Sequence, residues 1–75
     1  MKQYTLTSSN FASAPGMLRW AISGAKIKSD RVRLIRVISQ GWGIPLHHAK
    51  LLVLEQVPYT IDTVAETVYF EVKED

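Results

Sequence analysis

Residues 29–56 run SDRVRLIRVISQGWGIPLHHAKLLVLEQ, and the architecture turns on whether the first part of this segment is helix or strand. Val32, Ile35, Ile38 and Trp42 recur at helical intervals behind Ser29, a candidate N-cap, and Asp30, an acidic first-turn residue. They predict a helix from about Asp30 to Gln40, with Arg33, Arg36 and Gln40 gathered on one polar face at spacings of three and four. The same residues are rich in β-branched side chains, and a strand would set Val32, Leu34, Arg36 and Ile38 on one side. Both conformations stay open over residues 31–38. Gly41-Trp42-Gly43 breaks the pattern, and Pro45, at a first helical position, opens a further helix to roughly Gln56 that Pro58 ends. Leu46, Ala49, Leu52 and Val53 fit the buried face of that helix. Leu51 and Leu54 make it apolar nearly all round, so its extra face needs a cover.

Upstream, Lys2 to Thr7 alternates, with Lys2, Tyr4 and Leu6 on one side, and predicts a short strand. A polar break at Ser8-Ser9-Asn10 precedes a short helix between Pro15 and Gly24. Its apolar side uses Leu18, Ala21 and Ile22, widened by Met17 and Trp20, with Phe11 packed beneath. Downstream, Tyr59–Ile61 and Thr67–Val72 read as two strands joined through residues 62–66, with Val68, Phe70 and Val72 on one face. The order is therefore β-α-α-α-β-β, one α+β domain over residues 1–75. Its C-terminal hairpin joins the first strand in a short antiparallel sheet under the helices.

A chain of 75 residues has room for one core, which makes its stability marginal and self-association into a homodimer an expectation. The hydrophobic fraction of 47% and charged fraction of 21% are those of a folded domain. Without cysteine there is neither a disulfide framework nor a thiolate metal site. The longest apolar run is Leu51 to Leu54, and the N-terminal residues lack the pattern of a leader, so the expected setting is the cytoplasm, with no membrane contact. Charge is segregated. Residues 1–50 carry eight Lys and Arg against Asp30 alone, or +7, whereas residues 51–75 carry Lys73 against six carboxylates, or −5. That asymmetry suits a nucleic acid or an acidic protein surface as partner, and equally an attraction between the two halves themselves.

Catalytic and metal chemistry find little support. His47 and His48 are adjacent, so on a helix they diverge by about 100° and cannot share one metal. Asp62, Glu66 and Glu71 fall on the hairpin without a further ligand type. No nucleophile and base, paired carboxylates or phosphate loop occurs at recognisable spacing, and no cofactor is expected. A ribonuclease-like pairing of His47 or His48 with Arg33 or Arg36 is the one hydrolytic arrangement the residues permit, and a non-enzymatic protein is the expectation. Lys26, Lys28, Arg31, Arg33 and Arg36 form the basic stripe best suited to phosphates; its other reading is a solvated helix face.

The second helix, the glycine break and the third helix can be laid over a helix-turn-helix. Ser39 stands as the small residue of the first helix, Gly43 at the turn and Ile44 behind it, with Ala49 and Leu52 buried in the second helix and Ile38 and Trp42 where the motif wants apolar groups. With the first strand and the hairpin Tyr59–Asp62 and Thr67–Val72, the chain resembles the small phage repressors of the Cro type. The resemblance implies a dimer formed through the hairpin and DNA contact through the third helix. Two departures stand out. The segment before Gly43 is longer than in that family, and the reading helix offers Leu46, His47, His48, Lys50 and Leu51 where base edges favour polar side chains. Two functions are thus expected from the sequence. One is a DNA-binding regulator of phage or mobile-element type using Lys26, Lys28, Arg31, Arg33, Arg36, His47, His48 and Lys50. The other is a protein-interaction module, such as a phage-encoded inhibitor of a host defence complex of the anti-CRISPR kind, anchored by Trp20, Trp42, Leu51, Leu54 and the arginines.

Overall fold

The alternating segments at the two ends of the chain pair with one another. In the computed structural model, which describes residues 1–10 and 12–73, the order is β1 (Lys2–Thr7), α1 (Ala14–Gly24), α2 (Lys28–Trp42), α3 (Leu46–Val53), β2 (Tyr59–Asp62) and β3 (Thr67–Val72). β3 lies in the middle of an antiparallel sheet of order β1-β3-β2. Leu6 and Ile61 both face Val68 across the ladders, and Tyr4 and Tyr59 both face Phe70. Because side chains alternate along a strand, this register turns Leu6, Val68, Phe70 and Val72 to one side, where all four are buried. The three helices cover that side. Tyr69, between Thr5 and Thr60, is on the opposite, exposed face. The placement expected for Phe11 lies outside the described residues.

The start of α1 and the ends of α2 and α3 have local causes. Ser13 caps α1, accepting from the Gly16 amide at 3.3 Å, and Pro15 occupies the first turn, where a missing amide hydrogen costs nothing. Ser8 accepts from the Ala14 amide at 2.8 Å and donates to the Glu66 carbonyl, tying the end of β1 to both α1 and the hairpin. A Cβ at Gly24 would come within 2.5 Å of the buried Leu34 side chain, so the glycine permits α1 and α2 to approach closely.

α2 is helical throughout residues 31–38, which settles the choice between helix and strand. It extends two residues beyond the predicted span at each end. Its N-cap is Ile27, not Ser29, and Ile27 makes no side-chain capping bond. The buried stripe is Leu34, Ile35 and Ile38. Val32, expected in that stripe, is 62% exposed. Gly41 does not break the helix; Gly43 does, with φ of +65° and its amide bonded back to the Ser39 carbonyl. Ser39 also donates its hydroxyl to the Ile44 carbonyl at 2.6 Å, while the Ile44 amide returns to the Ser39 carbonyl at 3.1 Å. This reciprocal pair fixes the turn.

Pro45 is the N-cap of α3 and not its first residue. The helix stops at Val53, short of Gln56, because Glu55 adopts φ of +57°. The Gln56 amide then closes on the Leu51 carbonyl at 2.8 Å and the Glu55 amide on Leu52 at 3.1 Å, a Schellman closure with glutamate in the left-handed position. Ala49, Leu52 and Val53 are buried as predicted, whereas Leu46 is 49% exposed. Leu51 and Leu54 are partly covered by the core itself. Burial and the neighbouring Glu55 carboxylate push the Tyr59 phenol above its ordinary range, and its hydroxyl donates to Glu55 at 3.2 Å. The Asp62 carboxylate accepts from the Val64 and Ala65 amides, each at 3.0 Å, and so folds the hairpin turn. Among the described residues no helix is long and apolar enough to cross a membrane.

The two glycines around the break should respond oppositely to alanine. At neither would a Cβ meet another atom within 4 Å, so only backbone conformation counts. Gly41→Ala, inside α2, should gain up to about 1 kcal/mol, and Gly43→Ala should lose about 1–2 kcal/mol, measured by urea denaturation. Equal effects at the two sites would contradict the turn described here.

Candidate functional site

The tight turn at Gly43 folds α3 back against α2, and the two helices enclose a groove of about 650 Å³. The α2 wall is Lys28, Arg31, Val32 and Ile35, the i, i+3, i+4, i+7 series of one helix face. The α3 wall is Leu46, His47, Lys50 and Leu54, again one face. Three permanent cations and one imidazole thus line the groove together with four aliphatic side chains. The Arg31 Nε donates to the Ala25 carbonyl at 3.0 Å, which holds the guanidinium at the α2 wall. Among the described residues the only ion pair joins Arg33 to Asp30, at 3.5 Å, and none of the three groove cations takes part in one. Such a surface attracts an anionic partner and offers it apolar contact once it arrives.

Five of the residues singled out in the sequence meet here: Lys28, Arg31, His47, Lys50 and Leu54. The others are scattered. Lys26 is exposed in the connection between α1 and α2, Arg33 is engaged with Asp30, and Arg36 is exposed on α2 away from the groove lining. Trp20 is half exposed on α1. Trp42 is partly buried and donates its indole N–H to the Thr7 carbonyl at 2.9 Å, anchoring α2 to the end of β1. Leu51 lines a different cleft, of about 390 Å³, with Met1, Val57, Pro58 and Val72 among its neighbours.

His48 does not share the surface of His47. It is only 5% exposed, and its Nδ1 shares a hydrogen bond with the Tyr4 hydroxyl. Tyr4 in turn stacks on Phe70 at 4.8 Å between ring centroids. The imidazole therefore pins α3 to the sheet and is not available to a partner. His47 packs its ring on that of His48, at 4.1 Å, and stays exposed at the groove. The groove sets His47 beside Lys28, Arg31 and Lys50, and does not include the Arg33 or Arg36 of the hydrolytic pairing considered from sequence. Among the described residues no three His, Cys, Asp or Glu side chains come together as a metal site.

Periodicity places Val32, Ile35 and Leu46 on core faces; Ile35 is buried and also lines the groove, Val32 is exposed at it, and Leu46 takes the exposed position beside His47 that the helix-turn-helix overlay gives it. The signal for the groove was present in the spacing of Lys28, Arg31, Val32 and Ile35, which marks one helix face only once α2 is started at Lys28. No family model, curated protein or solved structure matches the chain; the groove is read from its own chemistry.

Removing the Tyr4 hydroxyl tests the pin behind α3. Tyr4→Phe keeps the ring stacking but leaves a buried imidazole nitrogen without this partner, which should cost about 1–3 kcal/mol. Thermal denaturation would register it, since about 1 kcal/mol moves the midpoint of so small a domain by roughly 4–8 °C. An unchanged midpoint would show that the hydrogen bond contributes nothing to holding α3.

Proposed function

We propose that this protein is a non-catalytic DNA-binding regulator that lays the α2–α3 face on duplex DNA. The observation that carries the reading is the groove itself: Lys28, Arg31 and Lys50, in no ion pair among the described residues, on two helices joined by a tight left-handed turn. Phosphate contacts supply most of the affinity in such binding, and an α-helix of exposed, unpaired side chains is what the major groove admits. His47 stands beside Leu46 at the start of α3, where it can donate to or accept from base edges. The segregated charge supports the same orientation, because the net-negative residues 51–75 contribute only Leu54 to the groove. A cytoplasmic homodimer, presenting two such faces to two half-sites, belongs to this reading.

A second reading is favoured by one observation. Val32 and Leu46 are aliphatic, exposed and adjacent to cations, which also suits an acidic, amphipathic protein partner of an inhibitory module. Binding to random-sequence duplex by fluorescence anisotropy separates the two. The DNA reading expects micromolar binding at low salt that weakens steeply as salt rises. Alanine at Lys28, Arg31 and Lys50 together should flatten the logarithmic salt slope by up to about 3. The same change at Arg33 and Arg36 should have a smaller effect, since neither lines the groove. Absence of binding at low salt would sink the DNA reading and turn attention to protein partners.

A further inference from the structure

Charge explains why the groove would hold an anion; it does not explain Leu46 and Val32, which stand 49% and 62% exposed among the cations. A face built only for phosphates needs no aliphatic side chain, and a leucine left half in water forgoes part of the gain from burying it. Other large exposed hydrophobics, Met1, Trp20, Ile27, Val64 and Tyr69, do not line the groove. The buried side of α3 is made by His48, Ala49, Leu52 and Val53, and Leu46 lies outside it. The major-groove edges of the bases present hydrogen-bond donors and acceptors and one apolar group, the C5-methyl of thymine.

We infer that Leu46, flanked by Val32, reads thymine through that methyl group, so that the α2–α3 groove selects thymine-containing duplexes. The inference rests on the DNA reading above. Leu46 is the first residue of α3 and Lys50 lies one turn further along the same face. Lys28 and Arg31 line the facing wall, beside Val32, so the groove that holds the aliphatic pair also offers cations to phosphates. The tight turn at Gly43 and the His48–Tyr4 hydrogen bond hold α3 in this position without any partner. The site is therefore organised before DNA arrives, which is what discrimination by a single methyl group requires.

The test compares two alternating duplexes of about two helical turns, one of adenine with thymine and one of adenine with uracil, by anisotropy at low salt. The native protein should bind the uracil duplex about fourfold more weakly for each methyl group it buries. Leu46→Ala, a change outside the core whose folding is checked by circular dichroism, should bind the two duplexes alike. Equal affinities for the native protein would overturn the inference and leave the DNA reading standing. A thymine preference that persists in Leu46→Ala and in the double variant with Val32→Ala would also overturn it, since duplex shape would then be the cause. Failure to bind either duplex would remove the DNA reading and this inference with it.

Discussion

Everything in this fold is organised around β3, which hydrogen-bonds on both edges and buries Val68, Phe70 and Val72 beneath the helices. In a sheet of three strands only the middle one can serve two neighbours, and here it is β3. β1 and β2 each have only one partner, and both take their register from β3. The helices then have a single apolar surface to cover. Leu18 and Ala21 of α1, Leu34 and Ile38 of α2, and Leu52 and Val53 of α3 join it in one buried core. Each buried leucine, isoleucine or valine contributes roughly 1.5–3 kcal/mol before conformational entropy is subtracted, so no one helix stands without the sheet.

The groove is a by-product of that packing. α2 and α3 turn their large apolar residues inward, and the turn at Gly43 leaves the outer faces of both helices side by side. What those faces carry is then a matter of sequence, free of the demands of the core. Here they carry Lys28, Arg31 and Lys50 around Val32 and Leu46. The tie between His48 and Tyr4 adds rigidity where it matters, since it joins the helix that bears the groove to the sheet beneath.

Strands were legible because alternation is a binary code that burial enforces: Lys2–Thr7 and Thr67–Val72 form at the predicted residues. Helix existence was legible too, but the faces were less so. Val32 and Leu46 sit at spacings that suit a core, and only the packing of α2 against its neighbours, α1 among them, decides that Leu34 goes in and Val32 stays out. Helix ends were misplaced for a related reason. Ser29 has the chemistry of a cap, yet the chain turns at Ile27, and α3 closes on Glu55, a residue with no preference for the left-handed region. Of the candidate site, the charges were visible in the sequence. Their grouping was not, because Arg33 and Arg36 look no different from Arg31 until the helix is rotated against its neighbour.

The sheet order has a further consequence, for the time course of synthesis. Of the six elements, β3 is the last to leave the ribosome, yet β1, the first, has no strand to pair with until it appears. A nascent chain that has reached α3 holds three short helices with their apolar stripes uncovered, a state that invites chaperone binding or aggregation. Folding must therefore wait for translation to pass Val72 and then close a loop spanning nearly every described residue, a high-contact-order step that is slow for so small a domain.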